Sequence, residues 1–223
     1  MASRYESDMT RKEKMQLEKE KLSKMNFKEK LAYIWEYYKA VIFGIIAVIF
    51  IIGTIVNIHE NAKYYDLVSI AVVDYAGLQD VSPIEEDLKE ALGTGDKYEK
   101  VSIDTSYSFG ENLENADYNT LMKFTAVIAA QSMDVLICSQ AVYDNYSRDD
   151  YFLDLSTLFD EATCEKYGIQ AGDTCLDISK LKKYQDMGLT YYEPCYLTVV
   201  VNAKNTDNAA KLIEYLEEDG VNE

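Results

Sequence analysis

Histidine is almost missing from this 223-residue chain: the only one is His59. A Ser/His/Asp or Cys/His nucleophile would have to be assembled around that single residue. Also missing are a phosphate-cradling P-loop, a G-x-G-x-x-G turn and any Cys-x-x-Cys pair. The chain therefore lacks the signatures of an enzyme and those of a cofactor site, and it reads as non-catalytic. No internal repeat or low-complexity stretch occurs, which excludes solenoids and biased linkers. Nothing near Asn57–Ala62 matches the A-x-A pattern of signal cleavage, and no Cys stands there to accept a lipid.

What is present is a long apolar run. From Ala40 to Ile58 the chain reads AVIFGIIAVIFIIGTIVNI, without a charged residue. As a helix rising about 1.5 Å per residue it reaches roughly 28 Å, the thickness of a bilayer's hydrocarbon core. Trp35, Tyr37 and Tyr38 stand at its entry, where amphipathic rings suit the headgroup zone. Residues 40–58 are therefore expected to be one uncleaved transmembrane signal-anchor helix, with the lipid bilayer as the chain's first partner.

Charge gives the orientation. Residues 1–39 hold ten Lys or Arg against seven acids, while the stretch beyond residue 58 holds twelve against thirty-two, for nets of +3 and −20. Basic residues flanking a first span stay in the cytoplasm, so the expected location is the cell membrane, with the N-terminus cytoplasmic and residues 60–223 extracellular. A domain of charge −20 would repel phosphate, which excludes nucleic acid as its partner. Segment 1–39 is expected to be a basic helical stub: Thr10 to Tyr38 has no Gly or Pro and is rich in Lys, Glu, Met and Leu. Met15, Leu22 and Met25 give it only a short apolar stripe, suited to a coiled-coil contact, to an anionic lipid surface or to nothing beyond a solvated helix.

The outer 164 residues alternate in type. Leu67–Val73 is a β-rich run. Ser82-Pro83-Ile84-Glu85 is a compound helix start, with Ile84, Leu88, Ala91 and Leu92 on one stripe and Gly93 as the stop. Glu99–Asp104 reads as a second strand, Tyr118–Ser132 as a helix with Leu121, Phe124, Thr125 and Ile128 on one face, Asp134–Cys138 as a third strand, and Gln140–Tyr146 as a short helix. Tyr196–Asn202 is a further apolar run expected to be a strand buried on both sides. The last helix starts near Thr206 and aligns Ala209, Leu212, Ile213 and Leu216. Residues 160–189 read as an irregular insertion. The predicted fold class is α/β, a mostly parallel sheet with helices on both faces, preceded by the transmembrane helix and the N-terminal cytoplasmic helix.

Two segments resemble a known family. MDVLICSQAVYDNYSRDDYFLDLSTLF, with the turn Asp150–Leu155, and YYEPCYLTVVVNAKNTDNAAKLIEYLEE are similar to parts of type-two periplasmic (extracellular) solute-binding proteins, and KFTAVIAAQS resembles the helix preceding the first. By order of elements the resemblance covers residues 65–217. The chain also resembles small single-pass membrane-anchored bacterial proteins of Gram-positive anaerobes. Full members of the family have two lobes closing on a ligand, whereas this domain is roughly half their length, with room for one lobe and at most a reduced second one in 160–189. The resemblance thus implies a solute-binding-like interaction module contacting an envelope protein or cell-wall polymer. Its alternative is a receptor delivering a small sugar, amino acid or peptide to an ABC-type permease.

In open α/β sheets ligands bind outside the carboxyl ends of the strands. The residues at the predicted ends are Asp74 and Tyr75, Ser106 and Tyr107, Ser139 and Gln140, and Asn202, a set suited to stacking and neutral hydrogen bonding. Asp149, Asp150 and Asp154 form a local acid group whose spacing is not that of a calcium loop, and no metal site is expected. The cysteines are 138, 164, 175 and 195; Cys164 and Cys175 are the preferred disulfide, closing a short loop in the insertion, with all four reduced as an alternative and zinc a weaker one, since the spacings are not those of a compact finger. Fifteen of the nineteen tyrosines lie in the outer domain, some in pairs such as Tyr191-Tyr192, material for an interface or for ordinary half-buried packing.

Overall fold

A computed structural model describes residues 10–77, 80–110, 113 and 116–218, apart from the side chains of residues 34, 37 and 149. The chain divides into two compact units, Met1–Ala62 and Lys63–Glu223.

Among its described residues the first unit holds two helices, α1 (Arg11–Lys24) and α2 (Phe27–Asn61). The expected uninterrupted helix is broken at Met25-Asn26. Asn26 caps α2, and its backbone N–H donates to Glu29 Oε2 at 2.9 Å. This is a capping box, and its Asn-x-x-Glu pattern outweighs the good helix propensity on either side. The Tyr38 hydroxyl donates to Glu18 Oε1 at 2.5 Å, joining the two helices. Within α2, Tyr38–Asn61 is 24 residues long with a mean hydropathy of 2.8, and none of it is buried. It is long and apolar enough to cross a membrane, extending the predicted 40–58 by a few residues at each end.

The second unit is an α/β domain around a five-stranded mixed sheet in the order β2-β1-β3-β5-β4. Strands β1 (Tyr65–Val73), β2 (Glu99–Tyr107) and β3 (Val135–Ser139) are parallel to one another. Between them lie α3 (Ser82–Leu92) and α4 (Tyr118–Ala129), with α5 (Gln140–Tyr146) after β3. Beyond these come α6 (Glu161–Tyr167), β4 (Leu176–Asp177), α7 (Lys182–Met187), β5 (Cys195–Val199) and α8 (Thr206–Glu217). The sheet departs from the mostly parallel expectation at β5 and β4, since β5 is antiparallel to both β3 and β4. An apolar run buried on both sides has no intrinsic direction, so YLTVVVN could not reveal this reversal.

Residues alternate along β1 between two apolar clusters. Val68, Ile70 and Val72 join Ile84 and Leu88 of α3 and Leu212 and Ile213 of α8. Ala71 and Val73 join Phe124 and Ile128 of α4 and Val142 of α5. On α3, Ile84, Leu88 and Leu92 are buried as expected, whereas Ala91 is exposed; on α4, Leu121 and Thr125 of the predicted stripe are exposed. The four predicted α8 residues, Ala209, Leu212, Ile213 and Leu216, are all buried. Stretch 160–189 is no separate lobe: Ile169, Ile178, Tyr184 and Leu189 belong to the same cluster as α3 and α8. Its apolar residues are spaced without a helical or strand period, which concealed their common destination.

Two carboxylates organise the sheet. Asp134, 2% exposed, accepts from Ser69 N–H at 2.9 Å, Lys204 N–H at 2.9 Å, Asn205 N–H at 3.0 Å and Asn205 Nδ2 at 2.9 Å. It thereby joins β1 and the entry to β3 to the loop leading into α8. At the outer edge, Glu85 of α3 accepts the Ile103 N–H of β2 at 2.8 Å.

Candidate functional site

The carboxyl ends of β1, β2 and β3 share one edge of the sheet. Asp74, directly after β1, has φ +50°, the left-handed region that Asp enters more readily than most residues. Its backbone N–H donates to the Tyr107 carbonyl at 2.9 Å. Its Oδ1 accepts from Phe109 N–H at 2.8 Å, Gly110 N–H at 2.9 Å and Ser108 Oγ at 3.3 Å. Asp74 thus holds the turn that follows β2. Gly110, at φ +78°, lets that turn close against it.

Because β5 runs the other way, its beginning arrives at this same edge. Cys195 pairs with Ser139, and the preceding Tyr191 and Tyr192 come over the end of β1. The Glu193–Pro194 bond between them and β5 is cis. The Tyr192 hydroxyl donates to the Val73 carbonyl at 2.8 Å, and Ala76 N–H to the Leu189 carbonyl at 3.0 Å. Burial first, then the thiols and Tyr184 around it, pushes the Tyr192 phenol far above its ordinary value, so it remains a protonated donor.

Asp74, Gly110, Ser139, Tyr191 and Tyr192 line a pocket of about 430 Å³. That volume lies within the range of small-molecule sites, about 300–1,000 Å³. Ser139 Oγ is buried and has no hydrogen-bond partner within the described residues. A buried hydroxyl without a partner is uncommon, and this one stands in the wall of a cavity. Two other hollows are less suited to chemistry. One of about 480 Å³ is a nearly apolar groove along α2 beside Leu31 and Trp35. The other, about 190 Å³, lies between α3, α7 and Tyr215.

Of the residues expected at strand ends, Asp74 and Ser139 meet in this pocket. Tyr75 is half-buried against the first apolar cluster, and Gln140 is exposed at the start of α5 without lining the cavity. Ser106 is engaged elsewhere: its hydroxyl donates to Asp104, and Lys123 Nζ donates to Ser106 Oγ. Tyr107 is a core residue, 1% exposed, edge-on to Phe124 with ring centroids 5.7 Å apart. Asn202 is corrected outright. It lies beyond the far end of antiparallel β5, at the opposite edge of the sheet, where Nδ2 donates to the Ile128 carbonyl at 2.9 Å. Gly110, Tyr191 and Tyr192 were missed. The Tyr pair was visible in the sequence, but only the direction of β5 brings it to this edge.

The expected Cys164–Cys175 disulfide is absent, and all four cysteines are free. Cys164 packs with the first apolar cluster and faces the Ser156 carbonyl at 3.9 Å. Cys175 instead neighbours Tyr143, a residue of the second cluster, so the loop between them crosses from one packing environment to the other. Burial raises the thiols of Cys138 and Cys195. Of the acid group, Asp154 accepts from Ser156 N–H at 3.0 Å and Gly172 N–H at 3.0 Å, and the Asp149 side chain lies outside the described residues. Among the described residues no three His, Cys, Asp or Glu side chains gather as metal ligands. Compared with protein-family models, curated proteins and solved structures, the chain matches none.

Proposed function

We propose that this chain is a single-pass membrane-anchored binding module, non-catalytic, whose α/β domain lies outside the cytoplasm and takes its ligand at the pocket beside Asp74. The observation that carries this reading is that pocket: Asp74 in the left-handed region, a buried Ser139 hydroxyl without a partner among the described residues, and two tyrosines meet where three parallel strands end. In this reading the domain corresponds to one lobe of a solute-binding protein, with α3 and α8 covering one face of the sheet and α4 and α5 the other. The two apolar clusters support that arrangement. The basic stub of residues 1–39 is the cytoplasmic end, supported by the contrast of +3 against −20. A single lobe leaves its ligand partly exposed, so an envelope protein or wall polymer completes the enclosure or presents the ligand.

Two measurements test this. Protease added to intact cells should remove the C-terminal domain and leave a membrane-protected fragment of about sixty residues ending near α2. Thermal unfolding of the full chain in nanodiscs should respond to at least one member of a panel of sugars, amino acids and short peptides. That response should weaken in Tyr191→Ala. Protection of the domain in intact cells would overturn the orientation, and a panel without any response would overturn the small-ligand site.

A further inference from the structure

The pocket's chemistry narrows the class of ligand. Among its described lining residues Asp74 is the only charged one, and no basic side chain lines it. Among the described residues, the donors to the Asp74 side chain, Phe109, Gly110 and Ser108, all reach Oδ1, so they fix the carboxylate without occupying Oδ2. Ser139 Oγ adds a second acceptor with no partner of its own within the described residues. Tyr191, 70% exposed, and Tyr192, held by Val73, contribute aromatic surface. Two oxygen acceptors and two tyrosine rings match the three N–H donors and positive charge of a primary ammonium group. The surrounding charge of −20 attracts cations and turns away carboxylates and phosphates. A divalent metal is a poor fit, because it needs about six oxygen ligands and the cavity offers a single carboxylate.

We propose that the pocket binds a small organic cation through a primary amine, with Asp74 as counter-ion, Ser139 as second acceptor and Tyr191 as the exposed aromatic wall. This rests on the reading of the pocket as a small-ligand site.

The test is isothermal titration of the full chain in nanodiscs with two matched sets: putrescine, 1,4-butanediol and succinate, then glucosamine, glucose and glucuronate. Within each set size is nearly constant and charge changes. The amine should bind saturably and at least tenfold more tightly than its neutral and acidic counterparts, and its affinity should fall as salt is raised. Asp74→Asn should lose at least tenfold in amine affinity. Asn tolerates the same backbone conformation and retains an acceptor for Phe109 and Gly110. Circular dichroism checks that this variant is folded, and Tyr191→Ala, at an exposed position, should weaken binding without touching the turn. Equal binding of neutral and amine members would overturn the cation assignment while leaving the pocket a ligand site. Preference for the acids would overturn it too. If no member of either set binds, both the assignment and the small-ligand reading fail.

Discussion

Replacing Asp134 by Ala should unfold the α/β domain at markedly lower temperature. The carboxylate is 2% exposed and accepts from three backbone N–H groups and one side-chain amide. Alanine removes every acceptor at once. Lys204 is exposed and Asn205 half-exposed, so water can satisfy part of what they lose, whereas the Ser69 N–H lies inside the sheet. Stranding a buried donor costs about 1–3 kcal/mol, and counting Ser69 fully and the other two in part gives about 3 kcal/mol. For a domain of this size, with about 2–4 °C per kcal/mol, the midpoint should fall by roughly 6–12 °C. Asp134→Asn retains one acceptor oxygen but turns an amide toward donors, and should lose about half as much. The assay is near-UV circular dichroism of the tyrosines on the full chain in detergent, because the sole tryptophan, Trp35, belongs to α2 and does not report on the domain. A double-mutant cycle with Asn205→Ala should show coupling between the pair. A fall of less than about 2 °C in Asp134→Ala would refute the argument that this carboxylate joins β1 to the approach of α8.

Other outcomes follow from the same structure. The Thr94 hydroxyl, assisted by the N–H groups of Thr94, Asp96 and Gly95, holds the Glu99 carboxyl below its ordinary value despite desolvation. A depressed carboxyl stabilises the fold above its unfolded value and stops doing so as pH falls through the folded one. Acid titration of stability should therefore decline below the usual Glu range, and Glu99→Gln should flatten part of that decline. With a thiol reagent in native conditions, Cys164 and Cys175 should react before buried Cys138 and Cys195, as peptide mass mapping would show; equal rates would contradict the burial. Leu212→Ala, at a position 2% exposed in the first apolar cluster, should cost about 2–5 kcal/mol in denaturant unfolding.

Local signals in the sequence were read well where periodicity and caps agree. The α3 stop at Gly93, the α5 boundaries and the four buried residues of α8 follow from such signals, whereas the α3 start is placed to within a residue by Pro83 but is capped at Val81, not by the Ser82 side chain, whose hydroxyl donates to Asp80. The apolar helix through residues 40–58 needed only length and composition. The break at Asn26 shows the limit of propensity, because one capping box reset a stretch of good helix formers. The direction of β5 was illegible for a different reason. Direction is set by what a strand pairs with, and nothing within YLTVVVN depends on it. That single unknown misplaced Asn202 and hid Tyr191 and Tyr192, so the site was half legible: its parallel-strand side through Asp74 and Ser139, its antiparallel side not at all. Tyr107 failed by alternation, since its side chain turns into the core rather than out from the strand end.

Glu85 has an effect that reaches beyond α3. By occupying the Ile103 N–H on the outer strand of the sheet, it blocks one of the backbone donors that an incoming strand would need. The opposite edge, β4, is only two residues long. Neither border is well suited to recruiting an extended peptide or a neighbouring sheet by backbone pairing. The same blocking helps keep two copies of the domain from zipping together edge to edge.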